Sequence, residues 1–366
     1  MAEIKGLNAH DRPPEPIRRR YKEYQRLQAS EVDAQQDIIN LQKLDPDDLP
    51  DGISLAGWKS SRELRRAFDH FIKPGEEPAP PPRGPLIEDI PILTLRSVSG
   101  LRLIPSLFPP TVQKELLSRL LHRDLRNHEH KTNVHLHYHV SYPGQTDSTT
   151  NPEEADASST SFFEDDPMRM LRPKDPETHK PITIESFLNK KLRWMTLGGQ
   201  YDWTAKVYPS EPPPRFPDDI AQLLRAAFPE TEAQAAIVNI YSAGDTLSVH
   251  RDVSEQCDVG LISISIGCDG LFLISHDSGQ GCEVIRLRSG DAVYMDGKSR
   301  FAWHGVPKVL PSTCPMWLQD WPADQNAASQ DPRYQYWKGW MSGKRVNLNV
   351  RQMILPEDSS SAAKEQ

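Results

Sequence analysis

The chain has 366 residues, 33 prolines and a formal net charge of -8. This length accommodates one large domain with an extension, or two modest domains, and the acidic balance argues against a strong sequence-independent grip on duplex DNA, which draws on a clearly basic domain. The four cysteines, Cys257, Cys268, Cys282 and Cys314, form no C-x-x-C pair, which argues against a disulfide scaffold or a structural zinc site and points to a reducing compartment.

In chain order, residues 1–85 read as a helical, partly disordered extension to which no chemistry is assigned. Residues 16–44 are rich in Arg, Glu, Gln, Leu and Ile and are read as one helix. Ser61–Ile72 is a second helix, with Leu64, Ala67, Phe68 and Phe71 on one face. Residues 76–85, EEPAPPPRGP, are a proline-rich, extended linker. Residues 86–355 are expected to form one globular domain. It opens with a short strand at 101–104, then a helix that starts at Pro109 or Pro110 and runs to Leu121, with Leu116, Leu117, Leu120 and Leu121 as its apolar stripe. Residues 143–181 read as a long polar insertion, partly disordered.

After Leu192 the pattern changes to short strands separated by turn signals: 236–241, 260–266, 271–275, 283–288, 292–295 and 345–353. In the second, Ile262, Ile264 and Ile266 alternate with Leu261, Ser263 and Ser265. Ser289-Gly290-Asp291 is the turn between the fourth and fifth. Many short strands at this spacing suggest an all-β sandwich or roll. The tail, 356–366, reads as disordered.

Chemistry concentrates around His250-Arg251-Asp252. On an extended strand, residues two apart share a face, so an H-x-D at a strand end aims both side chains at one point. His304 follows 52 positions after Asp252, in Trp303-His304-Gly305. Two imidazoles and one carboxylate on one side of a metal form the facial triad of non-haem Fe(II) oxygenases, with positions left open for a co-substrate and dioxygen. The plain alternative is a pair of surface residues spaced by one. In Arg345-Val346-Asn347-Leu348-Asn349-Val350-Arg351 the polar residues share a face, as do Asn239 and Tyr241 in 237–241. Such alternation usually marks a half-solvated antiparallel strand. Its functional reading is a polar pocket inside a roll, where the planar fork of an arginine suits a carboxylate. The common electron donor at such an iron site is 2-oxoglutarate, whose distal carboxylate needs a cationic partner.

Asn239-x-Tyr241-x-x-Gly244-Asp245 through His250-x-Asp252, then Ser299-Arg300-x-x-x-His304-Gly305-Val306, then Arg345-x-Asn347-x-x-x-Arg351, resembles the AlkB family of Fe(II)/2-oxoglutarate dioxygenases over roughly residues 100–355. Leu192-Arg193-Trp194-Met195-Thr196 ahead of Tyr201-Asp202-Trp203 resembles most the eukaryotic AlkB homologue 1 subgroup. The resemblance implies a mainly β chain with flanking helices: a double-stranded β-helix, or jelly roll, carrying a helical N-terminal extension. It implies Fe(II) on His250, Asp252 and His304, and Arg345 on the distal carboxylate of 2-oxoglutarate. Arg351 would lie beside the metal-bound end of that acid and Asp252, with Asn239 and Tyr241 as its neutral hydrogen-bond partners. Trp203 and Tyr208 would line the entrance and stack on a base. Ser254 stands where bacterial AlkB has an acidic residue two positions after the H-x-D, with Glu255 next, which unsettles the bacterial base preference for this chain.

The implied reaction consumes O2 and 2-oxoglutarate, gives succinate and CO2, and strips an N-methyl group as formaldehyde from single-stranded DNA, flipped bases or looped RNA such as tRNA. Two rivals stand beside it. One is the same chemistry on a methylated histone, which the acidic charge favours slightly. The other is a non-catalytic nucleic-acid-binding module.

Residues 128–139 hold five of the twelve histidines, with His135, His137 and His139 expected on one strand face. Lacking a carboxylate in register, this run reads as a polar strand or loop edge before it reads as a metal site. Lys190, Lys191 and Arg193 precede Trp194, expected in the core, and Cys257 is a bystander. No stretch approaches the roughly 18 apolar residues of a membrane span. A monomer is expected, in nucleus and/or cytoplasm, with the mitochondrion left open although Glu3 and Asp11 weaken a presequence.

Overall fold

The computed structural model describes residues 6–75, 89–144, 161–202, 207–209, 211–276, 281–323 and 332–355. The linker at 76–85, part of the polar insertion, Trp203 and the tail lie outside these residues.

Two sheets face each other. The larger has eight strands in the order Ile53–Lys59, Ile90–Leu95, Val98–Ile104, Ala292–Met295, Leu261–Gly267, Lys344–Arg351, Ala235–Ser242, Trp194–Gly198. The smaller has five: Ile38–Asn40, Glu283–Leu287, Gly270–Ser275, Trp303–Val309, Leu247–His250. From His250 onward the chain passes repeatedly from one sheet to the other, the winding of a jelly roll, with helices packed outside the larger sheet. The turn at Ser289-Gly290-Asp291 therefore links two sheets rather than closing a hairpin.

Alternation along each strand sorts side chains by layer. Ile262, Ile264 and Ile266 face out into a core shared with Leu116, Leu117, Leu120, Phe187 and Leu224 of the covering helices. Leu261 faces in and meets Phe272, Ile274, Ile285, Val293 and Met295 between the sheets. The serines share that inner side with Arg345, Asn347, Asn349 and Arg351, so the interior is apolar at one end and polar at the other.

The N-terminal residues depart from expectation. The helix spans Glu15–Arg26, not 16–44, and its Ile17, Tyr21 and Tyr24 pack on Leu271, Leu273 and Trp303, behind the smaller sheet. Ile38–Asn40 then pairs in parallel with Val284, Ile285 and Arg286. The β-branched Ile38 and Ile39 gain more from this ladder than from further helical turns. Ser61–Ile72 is a helix as read, with Ser60 accepting from the Glu63 amide. Pro110–Ser118 continues as a wider helical turn to Asp124. Within the polar insertion, Met170–Pro173 pairs with Tyr138–His139 and Ile182–Thr183. No described helix is long and apolar enough to cross a membrane.

His122, beneath this insertion, stacks on Trp321 at 5.0 Å and bonds Ser161 through Nδ1 at 2.7 Å. Burial pushes its pKa down to about 4. An unfolded chain takes up the proton near pH 6.5, so the native state loses stability as pH falls through the window from about 6.5 to 4, and none above it. His122→Asn, which keeps a nitrogen near the Nδ1 position, is expected to flatten the fall in melting temperature between pH 7.5 and 5. Equal slopes in the two proteins would clear His122 of that role.

Candidate active site

Leu247–His250 forms one edge of the smaller sheet and runs antiparallel to Trp303–Val309, with His250 directly opposite His304. Their ring centroids are 4.5 Å apart. The strand ends at His250, so Asp252 reaches the same point from the loop beyond it. Its Oδ1 is 3.7 Å from His250 Nε2 and its Oδ2 is 3.8 Å from His304 Nε2. One ligand atom from each residue lies within 4.8 Å of the others, and no other group of three or more His, Cys, Asp or Glu among the described residues does so.

The proton positions follow from the second contacts. His250 Nδ1 lies 2.9 Å from the Ser248 carbonyl and His304 Nδ1 3.0 Å from that of Ala302. A carbonyl only accepts, so each Nδ1 carries the proton and each Nε2 turns a lone pair to the centre. Burial, reinforced by His250, lowers the pKa of His304 to about 4, which keeps it a neutral ligand. Burial disfavours ionised Asp252, but the Arg351 guanidinium, with Arg300 adding, outweighs it and holds the carboxyl well below the usual range. Two neutral nitrogens and one carboxylate fit a divalent metal that takes mixed nitrogen and oxygen ligands.

A second feature lies further along the same interior. Arg345 stands opposite Tyr241 on one neighbouring strand and Gly267 on the other, while Asn347 stands opposite Asn239 and Ser265. Arg345 is 2% exposed and donates from Nη2 to Ser265 Oγ at 2.8 Å. Its Nε and Nη1, the Tyr241 hydroxyl and Asn349 Oδ1 are buried without partners. A Cβ at Gly270 would sit 2.6 Å from Arg345 Nε, so glycine is what leaves room for the guanidinium. Burial lowers the pKa of Arg345 and pushes the Tyr241 phenol up to about 12. A buried cation with two idle donors costs several kcal/mol, and a carboxylate placed there, with the phenol donating to it, would satisfy all three groups. The pocket fits the distal end of a diacid such as 2-oxoglutarate. Asn239 is half-buried on the Tyr241 face.

Arg351, at the far end of the same strand, donates to Asp252 Oδ2 at 2.7 Å. Sequence reading missed what holds it there. Glu255 is 2.9 Å from Arg351 Nε through one oxygen, and accepts from Arg300 Nη2 at 2.9 Å through the other. Arg300 also donates to the carbonyls of Asp252 at 2.8 Å and Val259 at 2.9 Å. The only local hint was an acidic residue three positions after a ligand, with an arginine four before another.

At the mouth, the Tyr201 and Tyr208 rings meet edge to face at 5.1 Å, and the Tyr201 hydroxyl lies 3.4 Å from Ser254 Oγ. Burial raises the Tyr208 pKa, with Arg351 opposing and Glu255 and Asp252 adding. Trp194 is half-buried on the edge strand, not in the core. Cys257 is buried and donates to the Gln352 carbonyl. The histidines of 128–139 disperse: His135 is on a 3-10 turn at Asn133–Leu136 capped by Thr132, and only His139 is in a strand. His130 bonds the Asp124 carbonyl, His135 bonds Tyr142, and His137 meets His179. Thr132, Val134 and Tyr138 direct this chain segment inward, which breaks the shared face a strand would give.

The family model of the 2OG-Fe(II) oxygenase superfamily matches residues 166–351. The chain is 45% identical to the N6-methyladenosine RNA demethylase ALKB1 of Pyricularia oryzae, over 95% of this chain and 98% of that protein. It is 52% identical to the N6-methyladenosine RNA demethylase ALKBH of Cryphonectria parasitica, over 60% of this chain and 99% of that one. It is 36% identical to the tRNA demethylase abh1 of Schizosaccharomyces pombe, over 72% and 82%. The chain therefore belongs to the 2OG-Fe(II) oxygenase superfamily, in its AlkB-type branch, and is a 2-oxoglutarate-dependent dioxygenase.

Proposed function

We propose that this enzyme removes methyl groups from N-methylated bases in single-stranded or unpaired nucleic acid, tRNA or DNA, with Fe(II), 2-oxoglutarate and O2. His250, Asp252 and His304 hold the metal. Arg345 and Tyr241 hold the distal carboxylate, Asn239 lines the same wall, and Arg351 sits between Asp252 and the metal-bound end of the acid. When bound, iron and 2-oxoglutarate supply the oxidation of the N-methyl carbon, whose hydroxylated product falls apart to the bare base and formaldehyde, with succinate and CO2 as co-products. The rest is the work of side chains: they orient the acid, fix the ligand tautomers and hold a base at the mouth. A stacked base cannot reach a cleft between two sheets, so the substrate arrives unpaired or flipped.

The observation that carries this reading is Arg345, a buried cation with two unmatched donors on the strand whose other end grips Asp252. The names of the three relatives support nucleic acid as the substrate class. The test is mass spectrometry with formaldehyde measurement on RNA bearing N6-methyladenosine, on tRNA, on single-stranded DNA bearing N6-methyladenine and on methylated histone peptides. Methyl loss from a nucleic acid is expected. Turnover of the peptides alone, the reading that the charge of -8 favours, would replace this proposal. Anaerobic iron that fails to bind would leave only a binding module.

Tyr208 and Trp203, with Ser254, are proposed to contact the base. Tyr208→Ala should lower nucleic-acid turnover by the worth of one stacked base, about 1–3 kcal/mol or roughly five- to 150-fold, while succinate formation without nucleic acid stays intact. Equal loss of both activities would put Tyr208 in the structural core of the site.

A further inference from the structure

Glu255, in the loop that carries Asp252, is 4% exposed, and Arg300, which holds that loop, is 1% exposed. Arg300 spends three donors there: Nη1 on the Asp252 carbonyl at 2.8 Å, Nε on the Val259 carbonyl at 2.9 Å and Nη2 on Glu255 at 2.9 Å. It thereby ties both ends of the segment 252–259 to one rigid plane. Glu255 passes the hold on to Arg351 at 2.9 Å, and Arg351 reaches Asp252 Oδ2 at 2.7 Å. The two guanidinium groups and the two carboxylates balance in charge.

We infer that Glu255 is a positioning residue for the metal site: with Arg300 it clamps the ligand loop and aims Arg351, and so sets the orientation of the Asp252 carboxylate. The inference rests on His250, Asp252 and His304 being a metal centre. Without Glu255, Arg351 would keep only Asp252 and a longer contact to the Asn349 carbonyl at 3.3 Å, and its guanidinium could swing about its long side chain. Two donors of one plane tied to two carboxylates cannot swing. The clamp also fixes the Asp252 backbone through its carbonyl. Loss of the Glu255 charge alone would do two things. It would leave a net positive charge beside the incoming cation, and it would turn an amide N–H toward one of the two arginines.

The experiment is Mn(II) titration of the metal-free, full-length protein, followed by Mn(II) spectroscopy, for the wild type, Glu255→Gln, Arg300→Lys and His304→Ala, with thermal unfolding recorded on each. Glu255→Gln is nearly isosteric, and Arg300→Lys keeps the charge but loses the fork. Both are expected to weaken Mn(II) binding by roughly 10–100-fold, the size typical of residues that orient ligands, and to alter the Mn(II) signal of the saturated protein. A lowered melting temperature with an unchanged dissociation constant and signal would show that the network only supports the fold, and would overturn the inference. If the wild type binds no more Mn(II) than His304→Ala, the metal centre itself fails and the clamp with it. If the wild type binds and both clamp variants match it, only the clamp fails.

Discussion

His304→Ala is expected to abolish 2-oxoglutarate turnover, by at least roughly three orders of magnitude or about 4 kcal/mol of barrier, while leaving the protein folded. The ring is buried opposite His250 and makes one backbone contact, to the Ala302 carbonyl at 3.0 Å. Its removal frees that carbonyl and opens a small cavity, costs of about 1–3 kcal/mol in stability. The loss of function is larger because two ligands hold a divalent ion far less well than three, and because the open side of the centre changes shape. Succinate formation and circular dichroism together check this. A folded His304→Ala variant with near-normal turnover would remove the metal assignment for all three residues.

Arg345→Met should separate binding from stability in opposite directions. In the ligand-free protein the guanidinium is buried with Nε and Nη1 unsatisfied, and an apolar chain of similar length relieves that. Replacing buried charge by well-packed apolar groups is neutral or stabilising by about 1–4 kcal/mol, so the melting temperature without ligand should hold or rise. The distal carboxylate of the co-substrate loses the cation proposed to hold it, and the half-saturating concentration should rise roughly a hundredfold or more, since breaking a buried pair costs about 3–5 kcal/mol. The stabilisation that 2-oxoglutarate gives the Mn(II)-loaded wild type should vanish at the same concentration. A variant that melts lower and keeps its 2-oxoglutarate requirement would show Arg345 to be a structural residue.

Legibility followed the distance over which each signal acts. The helix Ser61–Ile72 has its apolar stripe within twelve residues, so sequence alone places it, while the structure adds the cap at Ser60. The strand Lys344–Arg351 carries its alternation in eight residues, and that alternation sorts Arg345 and Arg351 from Val346, Leu348 and Val350 before any partner is known. The stretch 16–44 misled for the converse reason: Ile38 and Ile39 find their partners at Val284 and Ile285, and nothing near residue 38 announces them. The histidine run at 128–139 looked like a strand face because it alternates, but a Thr132 cap and a 3-10 turn broke the register.

The motif H-x-D, His304 and the arginine-bearing strand were written in the sequence, since residue type and period set which chemistry is available and which side chains share a face. What only the folded chain decided was convergence. Pairing of Leu247–His250 with Trp303–Val309 put two imidazoles in contact, the strand's end at His250 let Asp252 turn back to them, and Glu255 found Arg300 and Arg351 across 45 and 96 residues. Local patterns record the preference of a backbone segment. They hold no record of which distant segment closes over it, because that choice is made by burial of the shared core and by the satisfaction of charges that meet only after the sheets have closed.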